Sequence, residues 1–113
     1  NEKEVSNCLN EKGFSSFTLS DLSFVEQVQL FYNADYVVGL HGAGFANIIF
    51  CKPNTKILEL KPISAGDVIK NLAINNNLIY DDISAKGKTI NLNNQAGDIE
   101  IDISLLKNII NKD

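Results

Sequence analysis

An α/β fold, with a parallel sheet flanked by helices, follows from three features of this 113-residue chain. Apolar runs of strand length alternate with helical patterns in units of about twenty residues, the rhythm of strands joined by right-handed helical crossovers. The run Tyr36–Leu40 is apolar without alternation, as a strand covered on both faces is. That run ends in the Gly-rich corner His41–Gly44, and an apolar helical segment follows at once.

Taken in order, Glu2–Lys12 reads as a helix stopped by Gly13, and Phe14–Leu19 as a short strand. Ser23 opens a second helix, because Ser23-x-x-Glu26 fits a capping box and Phe24, Val28 and Phe31 recur on one face. Residues 33–35 break it. After the strand Tyr36–Leu40 and the corner, a helix runs through Phe50 or Cys51 and ends at Lys52-Pro53-Asn54. Lys56–Leu60 is the next strand. Asp67 caps a helix whose apolar face is Val68, Ile69, Leu72 and Ala73, and Asn75-Asn76-Asn77 ends it. Leu78–Tyr80 is another strand. The signal weakens over 81–97, where Thr89–Leu92 is a candidate strand with Asp98–Asp102 as its partner. Ser104–Asn111 is a final amphipathic helix with Leu105, Leu106, Ile109 and Ile110 inward. With no strand ahead of the first helix, the chain reads as a Rossmann-like domain whose first strand or strands are missing.

Composition is that of an ordinary globular domain, 44% hydrophobic and 21% charged, at a length that predicts one domain spanning residues 1–113. The net charge of -4 and the lack of a basic stripe argue against nucleic acid as a partner. No apolar run approaches the roughly 18 residues of a membrane helix. Cys8 and Cys51 make neither a disulfide framework nor a zinc spacing, and Cys51 reads as a small buried hydrophobe. A chain that begins Asn1-Glu2-Lys3 and contains no methionine is expected to be an excerpt of a longer protein.

The candidate chemistry gathers at the corner. A strand, a glycine loop and a helix N-terminus together offer backbone N–H groups and about half a positive charge to an anion, usually a phosphate. Gly39, Gly42 and Gly44 are more glycines than a tight turn needs, and Gly42-Ala43-Gly44 lets a ligand approach the backbone closely. His41, the sole histidine, can bind a phosphate or sugar hydroxyl, act as an acid or base, or merely cap the loop; its position leaves these open. Asn47, in the first turn of the helix, either orients the loop, contacts ligand or is a plain polar residue. Glu59, at the end of the next strand among apolar neighbours, is placed to accept the hydroxyls of a ribose whose phosphates rest on the loop, or is a strand-end acid. Glu26 is accounted for by the capping box, with a role in the site as the other reading. Lys52, Lys56 and Lys61 flank the crevice and can offset ligand charge.

Three familiar sites are less suitable. An esterase oxyanion loop would need a G-x-S-x-G elbow and a second histidine, and 62–66 begins with Pro62 instead. The dinucleotide fingerprint fails at its third glycine, where Asn47 stands. A P-loop needs Gly-Lys-Ser/Thr, which is absent from the sequence.

From Asn1-Glu2 through Gly13-Phe14, Leu22-Ser23-Phe24-Val25-Glu26-Gln27-Val28, Leu30-Phe31, Ala34-Asp35, Val38–Phe50 and Thr55–Leu60, the chain resembles the C-terminal part of glycosyltransferase family 61. The resemblance covers about half the chain, to about Pro62, and is specific through its order and spacing. Leu40 stands where the family often has Pro, and Phe45 where Leu is common. The resemblance implies the C-terminal half of a GT-B fold, two Rossmann-like domains with a nucleotide-sugar donor held mainly by the second. It implies inverting transfer to a glycan or protein acceptor, without an obligatory metal or other cofactor, in polysaccharide biosynthesis such as that of capsules. Carried over by position, His41 stabilises the diphosphate leaving group within the loop Gly42-Ala43-Gly44, Glu59 takes the ribose, and Asn47 and Glu26 support the site. The catalytic base, the family's basic residues ahead of Asn1-Glu2 and the N-terminal acceptor domain are expected outside these 113 residues, so the fragment alone is expected to be inactive. A nucleotide- or dinucleotide-binding module without transferase chemistry is the competing function.

Overall fold

The computed structural model describes residues 2–84 and 101–111. Three strands, β1 (Tyr36–Leu40), β2 (Lys56–Lys61) and β3 (Ile79–Ser84), form one parallel sheet in the order β1-β2-β3. The register pairs Gly39 with Glu59 and Glu59 with Asp82. Helices α1 (Glu2–Glu11), α2 (Phe24–Asn33), α3 (Val68–Asn75) and α4 (Ile103–Ile110) flank the sheet, with a 3-10 helix at Ala43–Phe50. The predicted α/β architecture is therefore the one formed.

Alternation along the strands divides the core in two. On one face Leu58, Leu60 and Ile83 pack with Cys8 of α1 and Leu106 of α4. On the other, Ile57 packs with Phe31 of α2, Phe45 and Ile48 of the 3-10 helix, and Ile69 and Ala73 of α3. No helix among the described residues is long and apolar enough to cross a membrane.

Local chemistry sets the boundaries. In α2 the capping box is complete: the Glu26 N–H donates to Ser23 Oγ at 3.1 Å, and the Ser23 N–H donates to Glu26 Oε1 at 2.8 Å. Gly13 ends α1 with φ +91°, and Asn54 and Asn77 take positive φ at the turns into β2 and β3. The side chain of Thr55 holds the first of these turns, donating to the Lys52 carbonyl at 2.8 Å. Asp102 caps α4 by accepting from the Leu105 N–H at 3.2 Å.

Four elements differ from the expectation. Residues 14–18 form no strand, and Leu19–Asp21 is a 3-10 turn. An apolar-lined cavity of about 560 Å³ separates Phe14–Leu19 from Val37–Leu40 of β1, so the segment has no ladder to join. The helix after the corner begins at Ala43 and is 3-10 rather than α. Its burial has period three: Phe45, Ile48 and Cys51 are all buried, whereas Ile49 is exposed. Strand β3 runs on through Asp81 and Asp82, two residues that hide a strand in composition. Of the expected strands at Thr89–Leu92 and Asp98–Asp102, only 101 and 102 lie among the described residues. These two form no strand, and Asp102 is a helix cap.

Candidate functional site

Parallel pairing brings the carboxyl ends of the three strands together, where open α/β sheets bind ligands. The His41 N–H still donates to the Leu60 carbonyl at 2.8 Å, so the residue is fixed at the end of β1 although it lies outside the strand. His41, Glu59, Lys61, Tyr80 and Asp82 share one face of the sheet, because strand alternation and register give them the same parity.

A hydrogen-bonded chain crosses that face. His41 Nδ1 lies 2.5 Å from Glu59 Oε2. Tyr80 Oη donates to Glu59 Oε1 at 2.6 Å and lies 3.0 Å from Asp82 Oδ2. Lys61 Nζ is 3.4 Å from Asp82 Oδ2 and 3.6 Å from Asp67 Oδ1. The Glu59 side chain has no exposed surface, and that of His41 is 31% exposed. A carboxylate so buried requires donors on both oxygens, and it has them. Burial first, then the hydrogen bonds to Glu59 and Asp82, push the ionisation of Tyr80 far above the ordinary phenol range.

The three glycines separate by what surrounds them. A Cβ on Gly39 would stand 3.0 Å from the Phe45 ring, and one on Gly44 would stand 3.1 Å from Leu19. A Cβ on Gly42 would meet nothing within 4 Å. Gly42 also has extended backbone, which any residue adopts. Gly39 thus admits the Phe45 ring, while neither packing nor backbone geometry demands a glycine at 42. The first N–H groups of the 3-10 helix, on Ala43 and Gly44, lie ahead of its first hydrogen bond, Phe45 N–H to the Gly42 carbonyl at 3.1 Å.

Asn47 faces the protein. Its Nδ2 donates to Gln27 Oε1 at 2.8 Å, and Gln27 Nε2 donates to the carbonyls of Leu19 at 2.9 Å and Leu22 at 3.2 Å. Gln27 therefore ties the helix after the corner to the segment ahead of α2. Glu26, one residue earlier, is exposed and bonded within its capping box. Among the described residues, no group of three His, Cys, Asp or Glu is placed to hold a metal ion.

A family model, Glycosyltransferase 61, matches residues 1–58. The chain belongs to the glycosyltransferase 61 family. No curated protein and no solved structure matches it significantly. The matched span of this glycosyltransferase 61 family chain holds Glu26, His41, the Gly42-Ala43-Gly44 loop and Asn47. It stops one residue short of Glu59, so the buried partner of His41 lies beyond it. Tyr80, Asp82 and the Lys61 ion pairs were absent from the sequence-based site. The pairing of β2 with β3 brings Tyr80 and Asp82 beside Glu59 and Lys61. An acidic pair inside an otherwise apolar run was the one available signal.

Proposed function

We propose that this domain binds the nucleotide-sugar donor of a GT-B-type glycosyltransferase that transfers sugar to a glycan or protein acceptor during polysaccharide synthesis. The observation that carries this reading is His41, held at the carboxyl end of β1 by Glu59 and next to the unobstructed backbone of Gly42. With Nδ1 engaged, Nε2 is the ring nitrogen left for a ligand. Carrying a second proton there, the ring would join the N–H groups of Ala43 and Gly44 in donating to the diphosphate and stabilise charge on the leaving group. Glu59 would act through His41. With no exposed surface and both oxygens bonded, it does not meet a ribose directly in this arrangement. Asn47 and Glu26 would support the loop through Gln27 and the α2 cap. The catalytic base and the acceptor site would come from an N-terminal domain facing this crevice.

Titrating UDP- and GDP-sugars into the chain while following amide resonances tests the placement. Shifts centred on Gly42 and Gly44 are expected; shifts confined to α4 would overturn it. In the full-length protein, His41→Ala should lower transfer by about 10²-fold or more, the scale of losing a charge-stabilising donor. A mutant that keeps wild-type turnover would make His41 structural. Donor binding without any sugar transfer by the full-length protein would favour the nucleotide-binding module.

A further inference from the structure

We infer that Tyr80 is a positioning residue of this site, fixing His41 through Glu59. The consequence for donor binding rests on the function proposed above, but the effect on His41 does not. Tyr80 stands on β3, opposite Ile57 in register, with its ring packed against the apolar cluster under the sheet face. Its hydroxyl spans the gap to Glu59 on the neighbouring strand. A phenol has one hydrogen to donate, so it can serve only one of the two carboxylates within reach. The contact to Glu59 at 2.6 Å is shorter than the contact to Asp82 at 3.0 Å. Asp82 instead has Lys61 Nζ 3.4 Å away to balance its charge.

The chain of bonds therefore has a direction. Tyr80 donates to Oε1 of Glu59 and pins the carboxylate, and Oε2 is presented to Nδ1 of His41. An ionised carboxylate only accepts, so His41 must carry its hydrogen on Nδ1. Nε2 is then directed away from the carboxylate, where a second proton on it makes the ring a donor to an anion. Burial and its two acidic neighbours keep the Tyr80 hydroxyl protonated, so the donor does not switch off as pH rises through the neutral range.

His41 is the only histidine, so its ring nitrogens can be read without ambiguity by long-range proton–nitrogen NMR in the 113-residue chain. Tyr80→Phe keeps the ring and removes only the hydroxyl. The wild-type neutral ring is expected as a single Nδ1–H tautomer. In Tyr80→Phe the two nitrogen resonances should move toward each other as the tautomers mix. Asp82→Asn leaves the Tyr80–Glu59 bond intact and should keep the wild-type pattern. A wild-type pattern in Tyr80→Phe would overturn the inference, as would an equal shift in Asp82→Asn. Affinity for a UDP- or GDP-sugar, whichever the wild type binds, should fall roughly tenfold in Tyr80→Phe, the scale of losing one well-placed hydrogen bond. A changed His41 pattern with no donor binding even in wild type would leave Tyr80 as the positioning residue and sink the donor site instead.

Discussion

Strand β2 puts two different materials on its two faces. Toward α1 and α4 it presents Leu58 and Leu60, 0% and 2% exposed, which meet Cys8, Ile83 and Leu106. Toward α2, the 3-10 helix and α3 it presents Ile57, then Glu59 and Lys61, 1%, 0% and 7% exposed. Burial is the same on both faces, but the chemistry is opposite. Apolar side chains out of water contribute roughly 25 cal/mol per Å² and need no partner. Buried charges give little net stability even when fully paired, and removing one partner is costly. The first face, like the apolar cluster around Ile57 on the second, contributes to folding. The second becomes ionic only at the carboxyl ends of the strands, where a crevice forms, and stability alone gives no reason for that.

If the division is right, mutations on adjacent residues should separate cleanly. Leu58→Ala should lower unfolding free energy by about 3 kcal/mol, through lost burial and the cavity left behind. Urea denaturation measures that, and the His41 ring resonances should stay as in wild type. Glu59→Gln should cost less, about 1–3 kcal/mol, because the amide can accept from only one of the two donors the carboxylate serves. It should nonetheless change the His41 ring resonances outright. A Leu58→Ala protein with altered His41 resonances, or a Glu59→Gln protein with unaltered ones, would break the comparison.

The same contrast recurs at smaller scale between two glycines. Gly39→Ala drives a methyl to 3.0 Å from the Phe45 ring, and overpacking of this kind costs about 1–3 kcal/mol. Gly42→Ala meets no protein atom and needs no unusual backbone, so its effect on stability should stay within about 0.5 kcal/mol. If a diphosphate rests against Gly42, that harmless methyl should weaken donor-induced amide shifts. Comparing thermal melts and donor titrations of the two variants tests this. A Gly42→Ala protein that binds donor like wild type would leave the loop without a ligand-facing glycine.

The fold was legible because its signals are local. Ser23 and Glu26 lie three residues apart and cap α2 as their spacing predicts. The run Tyr36–Leu40 announces a strand, although it is half-buried with Leu40 exposed rather than covered on both faces, and the adjacent residues 41–44 announce the corner. The 3-10 helix was not legible, since Ala43–Phe50 is apolar nearly throughout and a period of three cannot be told from 3.6 in such a run. Segment 14–18 carries strand-forming residues but has no ladder beside it, which only the tertiary structure reveals. The site was half legible. The position of Glu59 past the loop was readable, but its burial and its bond to His41 depend on the pairing Gly39–Glu59. Tyr80 and Asp82 depend on a second register, that of β2 with β3. No periodicity within a single segment encodes it.

The smallest effect expected concerns pH, and it comes from the ionic side's layer. Cys51 ends the 3-10 helix, packed with Phe45 and Ile48, and burial pushes its thiol up from 9.0 to about 11. In the unfolded chain the thiol loses its proton near 9, whereas in the folded protein it keeps the proton to about 11. Between those values the unfolded state binds fewer protons, so stability falls as pH rises and the loss is complete past the folded value. Tyr80 adds a loss of the same sign above the ordinary phenol value of 10.0, since its ionisation is also pushed up. Denaturation midpoints measured from pH 8 to 10.5 should therefore decline in wild type. Cys51→Ala should decline less, while retaining the part due to Tyr80. An identical decline in both proteins would show that the thiol ionises equally easily folded and unfolded, and that the layer beneath the crevice is wetter than the packing of Phe45, Ile48 and Cys51 implies.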